Sequence, residues 1–348
     1  MHTLMARCAA LFLGLSLSLF AGTAQAQVQC QPPGGFPAWL ESFKRHAVAG
    51  GVSQRTVSTA LDGVTLNRQV ISLDRDQRAF RLGFDEWVRQ RVTPRFNAGA
   101  RMLRRHGDLL ARIEQRYGVP GPVLVAIWGL ESDFGANTGR MSIIRSLATL
   151  AFDCRRTDMF QNELMAALRI IDRGDLRPSE MRGAWAGEIG QTQFLATNYE
   201  RFAVDFDGNG RRDLIGSTAD VLASTANYLR SYGWRAGEPW DEGTHNFQVL
   251  HEWNKSSVYQ RAIALFANRL AGTGGQGSQA AARVAAGGLS SGQVRDLQRL
   301  LTQRGHDVGP IDGVIGPRTR AAAAAERRRL GLPVDAALNE EFLIRLQQ

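Results

Sequence analysis

The sequence comprises 348 residues, of which 44% are hydrophobic and 22% are charged, and its formal net charge is +9. At roughly 150 residues per domain, this length predicts two domains with buried cores and excludes a small disulfide scaffold. Beyond the N-terminal segment, no apolar run reaches the roughly 18 residues that a membrane-spanning helix needs, which excludes a protein anchored by such a helix.

Residues 1–26 have the pattern of an export signal. An arginine precedes the apolar run 9–20, and small residues lead to a cleavage site at Ala26. We therefore expect a periplasmic mature protein. The positive charge is carried almost wholly by arginine and favours an anionic partner. The alternative is that the use of arginine in place of lysine reflects the composition of the genome. Because an exported protein rarely meets nucleic acid, cell-wall carboxylates are the favoured partner.

Two cysteines, Cys30 and Cys154, remain once the signal with Cys8 is removed. In an oxidising compartment two such residues can form one disulfide, which here would join the mature N-terminus to the middle of the chain. We predict this disulfide, and two free thiols are the alternative.

Residues 36–270 have mainly helical periodicity, with apolar residues three and four positions apart and little strand-like alternation. Ser53, and Pro120 with Pro122, stand where helices would begin. The pattern predicts a mainly α domain over residues 27–270.

The segment 123–130 is apolar on all sides, and Glu131 follows it directly. A carboxyl group at the end of a buried helix meets hydrocarbon at the edge of a cleft, so desolvation raises its pKa. A general acid that works near neutral pH needs such a pKa. Taken alone, a glutamate after an apolar helix is more often a solvated helix end.

The surrounding motifs resemble those of the lytic murein transglycosylases of the B type, over roughly residues 36–270 and in the order of that family. They are the stretches 117–120 (YGVP), 127–132 (IWGLES), 147–152 (LATLAF), 185–194 (WAGEIGQTQF) and 226–228 (ANY). The resemblance implies a lysozyme-like helical core with an extra helical subdomain. It also implies that Glu131 is the single catalytic acid in cleavage of the MurNAc-β-1,4-GlcNAc bond of peptidoglycan.

In the chemistry that the resemblance implies, Glu131 protonates the glycosidic oxygen while the substrate's N-acetyl group steadies the charge at C1. Glu131 then takes the proton of the C6 hydroxyl, which closes a 1,6-anhydro ring without water or a catalytic cofactor. Ordinary glycosidases need a second carboxyl group. Asp133 should point away from the cleft, about 200° around the helix, and Glu188 stands where the family commonly has a small apolar residue.

Two other functions remain open at this point. A hydrolytic muramidase needs the same glutamate but lets water attack C1, so its products end in a reducing sugar. A non-catalytic peptidoglycan-binding protein would keep the groove, although an intact Glu131 argues against it. The expected protein is a monomer whose partners are peptidoglycan glycan strands and, as further candidates, enzymes of cell-wall synthesis.

The family motifs also imply residues that line a glycan-binding cleft: Gln193, Phe194, Tyr228, Trp253, Asn254 and Tyr259. Aromatic rings pack against the C–H faces of sugars, and amides pair with hydroxyl and N-acetyl groups. Core packing is the alternative for each aromatic residue. Arg156, with Arg155, would bind a lactyl or peptide carboxylate or form a salt bridge. Ala184 replaces a serine that is frequent in the family.

Residues 205–213 follow the spacing of a calcium-binding loop, with a glycine at its sixth position. Its twelfth position is Gly216, which breaks a strict EF-hand, and the resemblance supplies a longer loop that ends at Asp220. We predict a structural Ca²⁺ site, with a metal-free Asx turn as the alternative. The ligands would be the side chains of Asp205, Asp207, Asn209, Asp213 and Asp220 and the carbonyl group of Arg211.

Residues 271–292 contain seven glycines, which predicts a flexible linker. The following segment, residues 293–348, starts with an amphipathic helix that Gly305 ends and has a second helix from Thr319. It resembles the three-helix peptidoglycan-binding module of many wall enzymes at positions 297–298 (LQ), 312–313 (DG), 316–317 (GP), 319–320 (TR) and 331–333 (GLP). It departs from that family at Glu326, where a glutamine is usual. A module that only docks on its own enzyme is the alternative.

Overall fold

The computed structural model describes residues 27–76, 83–272, 289, 291–313, 315–333 and 338–347. The predicted export signal and most of the predicted linker lie outside the described residues. Where the chain is described, its regular secondary structure is almost wholly helical, with one two-stranded sheet. The predicted mainly α fold class is confirmed. Among the described helices, none is both long enough and apolar enough to cross a membrane.

The N-terminal part consists of helices α1 (Gly35–Ala49), α2 (Gln54–Leu61), α3 (Arg68–Arg75) and α4 (Phe84–Trp87). Helix α2 begins after Ser53, as predicted, because the Ser53 hydroxyl accepts a hydrogen bond from the N–H of Thr56 (3.2 Å). Trp39 and Phe43 of α1 are fully buried and stack with ring centroids 5.2 Å apart. These rings fix α1 on the core.

The next helices lead into the centre of the domain. A π-helical turn (Val88–Val92) and a 3-10 turn (Thr93–Arg95) are followed by α5 (Phe96–Arg105), α6 (Gly107–Tyr117) and α7 (Gly121–Ser132). Pro120 and Pro122 flank the first residue of α7, as predicted. Proline suits this position because the N–H groups of the first turn have no partner inside the helix.

A small antiparallel sheet follows α7. Strand β1 (Met141–Ser142) pairs with β2 (Arg182–Gly183), and Met141 lies opposite Gly183. The remaining helices of this domain are α8 (Ile143–Phe152), α9 (Thr157–Asp172), α10 (Ala196–Phe202), α11 (Thr218–Ser231), α12 (His245–Trp253) and α13 (Ser257–Leu270). Helix α9 packs against both α8 and α10.

Helix α7 lies at the centre of the larger domain, in contact with α5, α6, α11 and α13. Residues 123–129 are all buried, so the hydrophobic effect holds this helix in the core. A side chain at Gly129 would overlap the ring of Phe134. The helix ends where Asp133 and Phe134 take positive φ values of 53° and 59°. Glu131 therefore stands where the buried helix reaches the edge of the core.

The C-terminal part has a hydrophobic core of its own, which includes Leu297, Leu301 and Phe342. Its helices are α14 (Ser291–Gln303), α15 (Pro317–Arg329) and α16 (Glu340–Gln347). Helix α14 begins inside the predicted linker. Helix α15 begins at Pro317 rather than at the predicted Thr319, because proline is favoured in the first turn of a helix.

Glu326 places a fully buried carboxylate in this smaller core. It forms ion pairs with Arg329 (2.7 Å) and Arg304 (3.2 Å) and a hydrogen bond with His306 (2.8 Å). The hydrogen bond with Arg329 is the main cause that lowers the pKa of Glu326 to about 2. These partners offset the desolvation of the carboxylate. Because Arg304 and His306 follow the last residue of α14, the same contacts connect α15 to the end of that helix.

A disulfide joins Cys30 to Cys154, which are 124 residues apart. Beside it, the backbone N–H of Val28 donates to Oε1 of Gln161 (2.8 Å), and Nε2 of Gln161 donates to the carbonyl group of Val28 (2.5 Å). The N-terminal arm is therefore fastened to α9.

Candidate active site

A cavity of about 460 Å³ opens beside the end of α7. It brings together most of the residues predicted for catalysis and glycan binding: Glu131, Arg156, Gln193, Phe194, Tyr228, Trp253 and Asn254. Other lining residues carried no prediction: Met159, Phe160, Ala186, Leu195, Asn198 and Glu252. Met159 and Phe160 lie one turn after Arg156, in the first turn of α9. Because residues three and four positions apart share one face of a helix, the prediction for Arg156 could have been extended to these two residues.

The carboxyl group of Glu131 is held in an environment that favours its protonated form. Burial raises the pKa of Glu131 to about 7, and the negative charge of Glu188 adds to this effect. Tyr259 and Trp253 act in the opposite direction, because they stabilise the ionised form. Nε1 of Trp253 donates to Oε1 of Glu131 at 2.9 Å. A carboxyl group of this kind can give up a proton near neutral pH and take it back.

Tyr259 lies behind Glu131 and does not line the cavity. Its hydroxyl group is buried and faces Glu131, although it forms no hydrogen bond of ordinary geometry with any described residue. Burial and the neighbouring Glu131 raise the pKa of Tyr259, so the phenol stays protonated. The structure thus places Tyr259 beside the candidate acid rather than along the cleft.

An aromatic cluster holds Trp253 in place at the end of α12. The ring of Phe194 meets those of Tyr228 and Trp253 edge-on, with centroids 5.9 Å and 5.5 Å apart. The hydroxyl group of Tyr228 donates to the carbonyl group of Glu252 (2.7 Å). Phe194 and Tyr228 are almost fully buried, so they support the wall of the cavity more than they expose a surface to it.

Gln191 fixes the end of α7 against the following loop. Its Oε1 accepts from Nε1 of Trp128 (2.8 Å), and its carbonyl group accepts from the hydroxyl of Ser132 (2.5 Å). Its Nε2 donates to the carbonyl group of Ile215 (2.8 Å). Gln191 lies within a motif of the family resemblance, but its sequence position predicts no role because these partners are distant in the chain.

The two predicted amides take different places in the cavity wall. Gln193 adopts a positive φ of 54°, and its Nε2 donates to the carbonyl groups of Gly190 (2.7 Å) and Thr138 (3.2 Å). Oδ1 of Asn254 accepts from the N–H of Ser256 (2.9 Å). Both side chains are therefore oriented by the backbone before any ligand arrives.

Arg156 forms the salt bridge that was one of the two roles left open by the sequence, and its place in the cavity leaves the other a prediction. It lines the cavity, and it also forms an ion pair with Asp74, which Arg155 shares. Its guanidinium group lies 4.8 Å from the ring centroid of Phe160. Asp74 is almost fully buried, so this pair connects α3 to the rim of the cavity.

Two further carboxyl groups near Glu131 differ in position. Asp133 lies outside the cavity and pairs with Nε of Arg95 (2.5 Å). Glu188 lines the cavity, and its Oε2 is buried without a hydrogen-bond partner in the part of the chain that the structure describes. A second carboxyl group therefore shares the cavity with Glu131.

The predicted metal loop brings together the carboxylates of Asp205, Asp207 and Asp220, whose oxygen atoms lie within 4.8 Å of one another. Asp213 is not part of this cluster, because its Oδ1 accepts from the N–H groups of Ile215 and Gly216. Asp205 also accepts from backbone N–H groups, as in the Asx-turn alternative.

The side chain of Asn209, a predicted ligand, and the side chain of Arg211, whose carbonyl group was the predicted ligand, have partners of their own. Oδ1 of Asn209 accepts from the N–H of Arg211 (2.9 Å). The Arg211 guanidinium group bonds the carbonyl group of Asp175 (2.9 Å) and Oε2 of Glu180 (3.3 Å). Hard cations such as Ca²⁺ prefer oxygen ligands, so the three clustered carboxylates suit such an ion.

Two family models match the chain. One, described as a transglycosylase SLT domain, matches residues 35–243, and the other, described as a putative peptidoglycan binding domain, matches residues 290–346. Over 157 residues the chain is 35% identical to the membrane-bound lytic murein transglycosylase B of Escherichia coli strain K12. This alignment spans 44% of the chain and only 43% of the length of that curated relative.

Solved structures resemble a larger share of the chain. SltB3 from Pseudomonas aeruginosa, in complex with NAG-anhNAM-pentapeptide, is 33% identical, with a TM-score of 0.68, over 90% of this chain and 99% of that one. The Escherichia coli lytic transglycosylase Slt35 in complex with calcium is 23% identical, with a TM-score of 0.61, over 67% and 93%. These neighbours confirm the predicted lysozyme-like fold.

Proposed function

The chain belongs to the family of transglycosylase SLT domains, and from this premise we propose that it cleaves the MurNAc-β-1,4-GlcNAc bond of peptidoglycan and leaves a 1,6-anhydro-MurNAc end. The observation that carries the proposal is Glu131, a buried carboxyl group with a pKa of about 7 at the edge of a groove-like cavity. The anhydro sugar bound to the related SltB3 supports the same product class.

The proposed reaction uses Glu131 twice. Protonated Glu131 gives its proton to the glycosidic oxygen as the bond from C1 to that oxygen breaks, and the substrate's N-acetyl group steadies C1. The C6 hydroxyl of the same sugar then bonds to C1, and its proton returns to Glu131. The hydrogen bond from Trp253 steadies the carboxylate between the two steps. No water is consumed, and the residue ends in its starting state.

The pH dependence follows from the pKa of Glu131. Because the first step needs the protonated form, kcat/KM should fall about tenfold for each pH unit above the pKa of about 7. Initial rates on purified sacculi between pH 5 and pH 9 would measure this limb. A rate that still rises above pH 8 would contradict the assignment of the acid.

The reaction type is tested by mass spectrometry of the muropeptides that the protein releases from sacculi. We expect products that end in anhydro-MurNAc. Products with a reducing end would make the protein a hydrolytic muramidase. No products at all would make it a peptidoglycan-binding protein without catalysis.

The polar and aromatic lining of the cavity is proposed as the glycan-binding surface. Gln193 and Asn254 would pair with hydroxyl and N-acetyl groups, and Trp253 would lie against a sugar face. Arg156 is the cationic group of this lining and would meet a lactyl or peptide carboxylate. Phe194 and Tyr228 would support this surface from behind, and Tyr259 would support Glu131.

Asp205, Asp207 and Asp220 are proposed to hold a structural Ca²⁺ ion. The loop that carries Asp205 and Asp207 continues through Leu214 and Ile215, whose carbonyl groups bond Gln191, to Asp220 in the first turn of α11. The ion would thus stabilise the support of the cavity and take no part in bond cleavage. A relative of the same fold, Slt35, has been solved in complex with calcium.

Calcium should therefore raise the melting temperature. At a free Ca²⁺ concentration of about 100 times Kd, the expected stabilisation is about 2.7 kcal/mol. Scanning calorimetry with Ca²⁺, with Mg²⁺ and with a chelator would measure it, and the double variant Asp205→Asn/Asp207→Asn should lose the response. A parent protein that melts at the same temperature in Ca²⁺ and in chelator would contradict the site.

The proposed domain organisation assigns residues 27–270 to catalysis, 271–292 to a linker and 293–348 to wall binding in the periplasm. The separate cores of the two parts support this division. Deletion of residues 271–348 should weaken the apparent affinity for insoluble murein at least about tenfold, because the second attachment point is lost. Cleavage of soluble glycan should be spared. Co-sedimentation with insoluble murein would measure the affinity of the full-length and the truncated protein, each carrying Glu131→Gln to prevent digestion. Equal sedimentation of the two proteins would refute a binding role of the module.

A further inference from the structure

Glu188 is a second carboxyl group in the cavity, and the proposed reaction does not use it. Its side chain lines the same cavity as Glu131. Its Oε2 is buried and lacks a hydrogen-bond partner among the described residues. Other buried carboxylates of this domain are paired: Asp74 with two arginines, and Glu163 with the N–H (2.9 Å) and hydroxyl (2.7 Å) of Thr197.

The backbone around Glu188 is fixed by close packing. Gly187 has a positive φ of 88°, and a side chain there would overlap Leu147. On the other side, Ile189 is fully buried and exchanges two backbone hydrogen bonds with Phe194 (2.7 and 3.0 Å). With both neighbours held in the core, the backbone at Glu188 is fixed beside the cavity.

The charges that face Glu188 do not neutralise it by direct contact. Arg156 lies on the same cavity wall but is engaged by Asp74. Burial raises the pKa of Glu188, whereas the N–H groups of Glu188 and Ala186 and the charge of Arg156 lower it. The carboxylates of Glu163 and Glu131 are its acidic neighbours. One carboxyl oxygen of this cavity-lining residue thus remains without a hydrogen-bond partner among the described residues.

We propose that Glu188 is a substrate-binding residue, which accepts a hydrogen bond from a hydroxyl or amide N–H group of the sugar beside the scissile bond. A buried acceptor without a partner is costly, and a ligand that supplies a donor removes this cost when it binds. The glycan presents such donors on every ring. The inference rests on the proposed function, because it takes peptidoglycan as the ligand.

Direct binding measurements test Glu188 without any turnover. In a Glu131→Gln background, calorimetry would compare a soluble tetrasaccharide of alternating GlcNAc and MurNAc with and without Glu188→Ala. We expect Kd to rise roughly 10- to 100-fold, the range of a hydrogen bond to a charged group. Glu188→Gln has the same shape and keeps an acceptor oxygen, so it should recover part of this loss. Asp158→Asn removes an exposed carboxyl group of α9 outside the cavity and should leave Kd unchanged.

A second readout is specific to the position of Glu188 beside Glu131. In the otherwise native protein, Glu188→Gln removes the negative charge that raises the pKa of Glu131, so the alkaline limb of kcat/KM should move to lower pH. This shift would show that Glu188 is ionised beside Glu131, and the Kd measurements test whether it binds the glycan.

The outcomes separate the two proposals. A Kd that stays within twofold in both Glu188 variants overturns the inference, whatever the enzyme releases from sacculi. A Kd that rises as expected while the parent protein releases no anhydro products leaves Glu188 as a glycan-binding residue and refutes the transglycosylase proposal.

Discussion

Replacement of Glu131 by glutamine should lower kcat on sacculi by about 10²–10⁴-fold, the range that a general acid contributes. The amide keeps the size of the carboxyl group and can still accept from Trp253. It has no proton to give to the glycosidic oxygen, and it cannot take one from the C6 hydroxyl. The rate at which anhydro-muropeptides are released would measure the loss.

Asp133→Asn is the matched control for this variant. It also removes a carboxyl group at the end of α7, but Asp133 lies outside the cavity and pairs with Arg95. We expect it to keep most of the parent activity. If Glu131→Gln cleaves sacculi as fast as Asp133→Asn does, the proposed mechanism is wrong.

Thermal stability separates loss of catalysis from loss of folding. Burial raises the pKa of Glu131 from 4.5 to about 7, so the folded state binds a proton more tightly than the unfolded state. The contribution of Glu131 to the free energy of unfolding is fully present below about pH 4.5 and is lost as the pH rises through about 7. At pH 8 the ionised carboxylate opposes burial, and Glu131→Gln removes that cost. The inactive variant should therefore melt at a higher temperature than the parent at pH 8.

The local pattern, together with the family motifs around it, placed Glu131. A segment without a polar face must be buried, so the carboxyl group that follows it had to lie at an edge of the core. Ser53 is similar, because a capping hydroxyl acts within one turn. Where the chemistry depends on a few consecutive residues, the sequence therefore predicted the structure.

Long-range packing decided what the sequence could not predict. Glu188 enters the cavity because Gly187 lies against Leu147, about forty positions earlier in the chain. Arg156 is shared between the cavity and Asp74, a partner on α3. Asp213 fits the spacing of a metal loop, yet its carboxylate caps the next turn instead. For Glu188 and Arg156, a contact distant in the chain determined where the residue lies, whereas local backbone contacts determined the direction of the Asp213 side chain.

Removal of the Cys30–Cys154 disulfide should lower the free energy of unfolding by about 2–5 kcal/mol. The two residues are 124 positions apart, so the bond excludes a large share of the conformations open to the unfolded chain. The native contacts of the arm, such as those between Val28 and Gln161, need no disulfide. The folded variant should therefore keep the cavity and its activity at low temperature.

Denaturant unfolding of the parent and of Cys30→Ser/Cys154→Ser, each with and without a reductant, would measure this effect. The reductant should move the parent midpoint to that of the double variant and leave the variant itself unchanged. The N-terminal arm is bound next to Arg156 and the start of α9, so its release would also expose one rim of the cavity to fraying. If activity is lost on heating at a lower temperature than that of global unfolding, the first local opening lies at this rim. If the reductant does not change the unfolding midpoint of the parent, the disulfide does not contribute to its stability.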